Sequence, residues 1–187
     1  MNNLSFLEIY KEKIEINKEI ISKFWNFKLE NSIPLIIYLP PYYSFKKGFL
    51  ISAGKYFSDH ISALEVQLDS IKSHLENISD NYIPCLNTYF GTSVFASAFG
   101  GKIKFFDDKE PWIENIVIND YKDIDKLKIP DPKTPGLLKE IFFRIESWKK
   151  ATNDKIPICI PDVQGPLSVA IDLMGATKFI EIGRAHV

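Results

Sequence analysis

The chain has 187 residues, is 45% hydrophobic and carries a formal net charge of −1. That is apolar enough for one sizeable core, and the near-zero charge excludes the basic stripe of a nucleic-acid binder. An aromatic content of 13% excludes a disordered chain.

Residues 1–13 carry charges every few positions and lack the apolar centre of a signal peptide. No apolar run approaches the roughly 18 residues of a membrane span. In residues 3–27, Phe6, Ile9, Tyr10, Ile14, Ile20, Ile21, Phe24 and Trp25 recur at helical spacing, which predicts a helix. The apolar run 33–39 predicts a buried strand, stopped by Pro40 and Pro41, and a loop rich in aromatics and lysines follows to residue 58. In residues 59–75, Ile61, Leu64, Leu68, Ile71 and Leu75 form an apolar seam, with Ser58 as the expected N-cap. His60 and His74 fall on the polar side of that helix and read as surface residues.

A second strand is expected over 83–89, a small-residue helix over 93–99 and a short strand over 102–106. Asp107, Asp108 and Glu110 before Pro111 read as a solvated turn. An irregular stretch runs to Pro135, and Thr134 is placed to cap a helix over 137–152. That helix has Leu137, Leu138, Ile141, Phe142, Ile145 and Trp148 as its buried stripe. A third strand opens at Ile156 and Pro157 and ends in a loop carrying Asp162 and Gln164. Gly165 and Pro166 start a helix that Gly175 caps, and residues 176–181 read as a transition towards a further strand. Cys85 and Cys159 both lie in strand candidates and read as buried free thiols of a cytoplasmic protein.

Three strands, each opening on Ile-Pro and followed by a loop and a helix, have the rhythm of an α/β protein with parallel strands. Ligands of such proteins bind at the C-terminal strand ends. Asp162 and Gln164 are therefore the candidate catalytic residues, beside free amides at Leu167 and Ser168 that suit an anionic group. Asn87, Thr88 and Tyr89 end the second strand and are candidate substrate contacts. Tyr38 and Tyr42 end the first, where their rings can stack on a flat ligand. Gly100 and Gly101 do not follow phosphate-loop spacing. No metal site is expected within the chain.

Several segments in order resemble the uroporphyrinogen decarboxylase superfamily. They are Gly91-Thr92 with Ala98-Phe99-Gly100-Gly101-Lys102-Ile103, then Asp123-Ile124-Asp125-Lys126-Leu127 with Pro130-Asp131-Pro132, then Pro157-Ile158 with Gly165-Pro166-Leu167 and Leu173-Met174-Gly175. The resemblance implies a (β/α)8 TIM-type barrel, of which this chain, with its N-terminal helix, is the truncated N-terminal half, since such barrels run to about 250 residues. It implies an enzyme acting on or beside a tetrapyrrole or corrinoid: either a uroporphyrinogen decarboxylase, a carboxy-lyase, or a corrinoid-linked methyltransferase using zinc and a corrinoid protein.

The resemblance departs from the decarboxylases at two places. An Arg-Gln-Ala-Gly-Arg-Tyr-like segment is expected after the first strand, where its arginines hold propionates. Here that stretch is Tyr38-Leu39-Pro40-Pro41-Tyr42-Tyr43, and Lys46 and Lys47 beyond it are not bidentate carboxylate clamps. The acidic residue expected after the second strand is missing at Asn87, Thr88 and Gly91. A methyltransferase-like reading is favoured, with its zinc ligands expected beyond Val187. The decarboxylase, and a non-catalytic relative that binds a tetrapyrrole or corrinoid, are the alternatives, and a homodimer is a further expectation.

Residues 182–187 look like the translation of a sequencing adapter. We therefore expect a gene that continues further, a single partial domain over 1–181 and a non-native tail, so His186 is assigned no role. The excised half barrel is expected to be inactive and to associate or stay molten when expressed alone, because its strand edges and inner face lack partners.

Overall fold

The computed structural model describes residues 4–44, 47–131, 133, 136–162 and 164–181. Thr134, Lys46 and the tail 182–187 lie outside the described residues. The expected N-terminal helix is two helices, α1 (Ser5–Ile9) and α2 (Lys11–Trp25). Only Phe6, Ile14 and Asn17 of this pair are buried, so polar side chains do much of the docking. Lys13 Nζ donates to the carbonyls of Leu75 and Ile78, and Asn17 Nδ2 donates to those of Asp80 and Tyr82.

The run 33–39 departs from the buried strand expected. It has no strand partner among the described residues, and Ile33, Leu35, Ile36, Ile37 and Tyr38 are exposed. Its backbone is tied to a turn instead. Leu35 N–H donates to Asn81 Oδ1, the Leu35 carbonyl accepts from Asn81 N–H, and Ile37 N–H donates to Asp80 Oδ2. Two side chains thus take the place of a neighbouring strand, which satisfies backbone groups without covering the apolar ones. Asp80 is itself buried and also meets His74 Nε2 at 3.0 Å. His74 stacks on Tyr82 with ring centroids 4.1 Å apart, so it is a core residue and not a surface one.

The expected loop to residue 58 contains β1 (Tyr43–Ser44), its antiparallel partner β2 (Gly48–Phe49) and helix α3 (Ala53–Ser58), capped by Ser52. Because Ser58 ends α3, the cap of α4 (His60–Asn77) is Asp59, whose carboxylate accepts from the Ile61 and Ser62 amides. Leu64, Leu68, Ile71 and Leu75 are buried as expected. Ile61 is 59% exposed, because the inner face is shifted towards Ala63, Gln67, Ser70 and His74.

Then follow β3 (Leu86–Asn87), α5 (Val94–Ala98), β4 (Ile103–Lys104) and β5 (Trp112–Ile113). A 3-10 helix at Tyr121–Lys126, with a capping box from Asp120 and Asp123, lies within the stretch read as irregular. Next come α6 (Gly136–Thr152), β6 (Ile158–Cys159) and α7 (Pro166–Met174), close to their expected places. Gly175 ends α7 with a positive φ of 81°. Residues 176–181 are helix α8 (Ala176–Glu181), not a turn towards a strand, because Phe179 N–H bonds back to the Gly175 carbonyl.

β3 and β6 pair in parallel, Leu86 opposite Ile158 and Asn87 opposite Cys159, as the strand–loop–helix rhythm predicts. The described strands form three two-stranded ladders and no closed barrel. The parallel pairing brings Cys85 and Cys159 to a Cα separation of 6.0 Å, and they are joined in a disulfide. This overturns the reading of both as free thiols, because the register puts them within bridging reach.

The core gathers on α3, α4, β3 and α6, around Tyr56, Phe57, Leu68, Ile71, Leu86, Phe90, Ile141 and Trp148. Each such burial contributes about 1.5–3 kcal/mol. On α6, Leu137, Ile141 and Trp148 are buried as expected, while Phe142 is exposed. The unexpected inner residue is Arg144, which is fully buried. Its Nη2 donates to the Phe57 carbonyl at 2.7 Å, its Nη1 to the Tyr56 carbonyl at 3.3 Å and its Nε to Glu140 at 3.2 Å. The guanidinium also lies over the Phe90 ring, 4.2 Å from its centroid.

Arg144 therefore closes the C-terminal end of α3, whose last carbonyls have no partner within the helix. Arg144→Met is expected to lower the unfolding free energy of the full gene product by about 3 kcal/mol, because two buried carbonyls lose their charged donor. Glu140 is more than a third exposed, so Glu140→Gln is expected to cost less than about 1 kcal/mol. Urea unfolding of both variants checks the order, and a larger loss from Glu140→Gln contradicts it.

Candidate functional site

The site is built outward from Gln67. Its side chain, buried on α4, accepts from Asn87 N–H at 2.7 Å and donates to the Asn87 carbonyl at 2.9 Å. One side-chain amide thus pairs both backbone groups of Asn87, as a neighbouring strand would. The same Nε2 donates to the Tyr56 hydroxyl at 2.8 Å, which fixes that phenol from α3. The Asn87 side chain is then free to organise the strand end. Its Oδ1 accepts from Tyr89 N–H at 2.8 Å and its Nδ2 donates to the Tyr38 hydroxyl at 3.2 Å. Tyr89 in turn donates its hydroxyl to Glu110 Oε2 at 2.8 Å.

All of these side chains except Gln67 line a cleft of about 490 Å³ at the C-terminal ends of β3 and β6. Tyr38, Tyr42, Tyr56, Tyr89, Asn87, Glu110 and Asp162 supply its polar groups. Pro40, Pro41, Phe57 and Ile160 supply apolar walls. Tyr42 packs on Tyr56 with centroids 4.8 Å apart and meets Phe57 edge-on at 6.4 Å. The size suits a small molecule. A second groove of about 260 Å³ lies at the opposite strand ends, between α1, α2 and residues 83–84 and 155–157. In a barrel that end serves stability and the C-terminal end serves chemistry.

The cleft is electrostatically one-sided. Glu110 and Asp162 are its ionisable acids, and none of its described lining residues is Lys, Arg or His. Burial, then the hydrogen bond to Glu110 and the charges of Glu110 and Asp162, holds the Tyr89 phenol well above its ordinary range. Tyr42 is pushed up by burial and by the charge of Glu110. Tyr56 is raised by burial, against the pull of Arg144 beneath it.

A protein-family model described as uroporphyrinogen decarboxylase (URO-D) matches residues 25–184. The chain belongs to the URO-D family. Searches of the curated proteins and of the solved structures each gave no match. Membership implies a TIM barrel, and the parallel β3–β6 pair with its flanking helices fits part of one. The cleft lies at the end of the strands where such barrels place their chemistry.

Of the residues predicted from strand-end position, Tyr38, Tyr42, Asn87, Tyr89 and Asp162 meet in this cleft. Thr88 does not line it. Strand alternation turns Thr88 inward, where it is fully buried and its hydroxyl has no partner among the described residues. Gln164 also stands outside the lining, half-buried, with its Oε1 unpartnered among the described residues. Glu110, read as part of a solvated turn, is drawn into the cleft by Tyr89, while Asp107 and Asp108 stay exposed. Tyr56 and Phe57 were hidden in the apparent loop that is α3. Among the described residues no group of three or more His, Cys, Asp and Glu is placed to hold a metal ion, and no helix is long and apolar enough to cross a membrane.

The buried phenols predict an alkaline signature. A raised folded-state value means a contribution to stability that is fully present below the unfolded value of about 10 and is lost as pH rises through the folded values. Tyr82, buried against His74, is pushed up to about 12, and Tyr56 and Tyr89 lie higher. Phenolate absorbance of the full gene product is expected to show these three titrating after the exposed tyrosines, together with falling stability above about pH 10. Titration of every tyrosine, Tyr56, Tyr82 and Tyr89 included, in one step near pH 10 contradicts the site as described.

Proposed function

We propose that the chain is part of a URO-D-superfamily enzyme of the methyl-transfer branch, working with a corrinoid. The observation that carries this reading is the cleft at the C-terminal strand ends, where the described lining residues include two carboxylates and no cation. A uroporphyrinogen is a polycarboxylate. Bringing it against Glu110 and Asp162 would desolvate like charges with no compensating partner, which is costly in a partly buried site. Tyr38, Pro40, Pro41 and Tyr42 stand where a decarboxylase would be expected to present its arginines. A corrinoid presents neutral amides at its edge, and phenol, amide and carboxylate oxygens can pair with them.

The residues here have defined parts in that reading. Asn87 orients the Tyr38 and Tyr89 ends of the cleft, Glu110 holds the Tyr89 hydroxyl, and Asp162 sets the charge at the mouth. The described residues do not fit a zinc site. Cys85 and Cys159 are joined to each other and His74 is held by Asp80, so no zinc-dependent step is assigned to them.

Absorbance titration of the full gene product with cobalamin and, separately, with uroporphyrin tests the reading. Saturable cobalamin binding with no uroporphyrin binding is expected. Uroporphyrin binding without cobalamin binding overturns it.

A further inference from the structure

We propose that the cleft recognises a cationic, methyl-bearing small molecule, a quaternary ammonium group, through the rings of Tyr38, Tyr42 and Tyr89 together with the carboxylates of Glu110 and Asp162. The proposal deepens the methyl-transfer reading by naming the class of molecule that enters this site, and it rests on that reading.

Three observations converge. The first is shape and surface. Tyr38, Tyr42 and Tyr89 present rings to one cleft of about 490 Å³, with the buried Tyr56 and Phe57 behind them. A quaternary ammonium spreads its charge over its methyl groups and loses little hydration when those groups meet aromatic faces, and the ring quadrupole attracts the charge. The second is sign. The acids in the lining are Glu110 and Asp162, with no described cation among the lining residues to neutralise them. The nearest buried cation, Arg144, is engaged by the Tyr56 and Phe57 carbonyls and by Glu140. Lys109 lies over the Phe106 ring at 4.2 Å and does not line the cleft.

The third observation is rigidity. Gln67 fixes Tyr56, Asn87 fixes Tyr38, and Glu110 fixes Tyr89, each through a hydrogen bond of 2.8 to 3.2 Å. A cage whose walls are already held loses little conformational entropy when it closes on a ligand. Burial is the main cause of the raised Tyr42 and Tyr89 phenols, and the charge of Glu110 adds to both. A carboxylate or phosphate ligand would meet the opposite balance.

The test is calorimetric titration of the full gene product with choline and with neohexyl alcohol, its neutral isostere. Saturable choline binding, about tenfold tighter than the alcohol, is expected. Tyr42→Leu is expected to weaken choline about tenfold while Tyr42→Phe holds it within a few-fold, because the ring and not the hydroxyl carries the contact. Glu110→Gln is expected to weaken choline and leave the alcohol unchanged. Equal binding of choline and the alcohol, or no saturable choline binding by the folded protein, overturns the proposal. Cobalamin binding with no choline binding rejects this inference and leaves the methyl-transfer reading standing. Choline binding with no cobalamin binding supports recognition of the cation by the cleft and overturns its assignment to corrinoid-linked methyl transfer.

Discussion

Arg144 is the constraint on which the rest of the structure leans. One guanidinium reaches from α6 to the last carbonyls of α3 and lies on Phe90, just past the end of β3. Three elements distant in sequence are thereby held in one arrangement. Tyr56 and Phe57, whose carbonyls it takes, are also walls of the cleft. Burial draws the guanidinium down from its ordinary range and Glu140 works against that shift, so the charge is kept by the hydrogen bonds it makes. A hydrophobic residue there would pack, but it would leave the end of α3 open and the cleft floor unfixed.

From that anchor the site is assembled by side chains that imitate backbone. Gln67 pairs with Asn87 as a strand would, and Asp80 with Asn81 does the same for Leu35 and Ile37. These substitutions explain how two-residue strands hold a precise site. They also set the chemical character of the URO-D cleft: amide, phenol and carboxylate, with aromatic faces between them. Family membership supplies the barrel and the end of it that does chemistry. In this chain the described lining of the cleft carries Glu110 and Asp162 and no cation.

Much of the scaffold was legible in the sequence because periodicity reports burial. The inner faces of α4 and α6 were visible in Leu64, Leu68, Ile71, Ile141 and Trp148, and the Gly165–Pro166 start and Gly175 stop of α7 in local backbone chemistry. Five of the seven predicted site residues meet in the cleft, because strand ends followed by loops are readable. What periodicity cannot report is pairing between distant polar groups. Arg144, Gln67 and His74 look like surface residues until Tyr56, Asn87 and Asp80 are known to face them. Glu110 was hidden for the same reason, since its partner Tyr89 lies twenty-one positions away. The run 33–39 misled because an apolar stretch signals a wish for cover, and the described residues hold its backbone without supplying that cover.

The proposed reading requires that the cleft of this URO-D chain, lined by Glu110 and Asp162, turns a polycarboxylate away. Incubation of the full gene product with uroporphyrinogen, followed by chromatography of the products, tests it most directly. The substrate is expected to be recovered unchanged. Accumulation of less carboxylated porphyrinogens, abolished by Asp162→Asn, would contradict it.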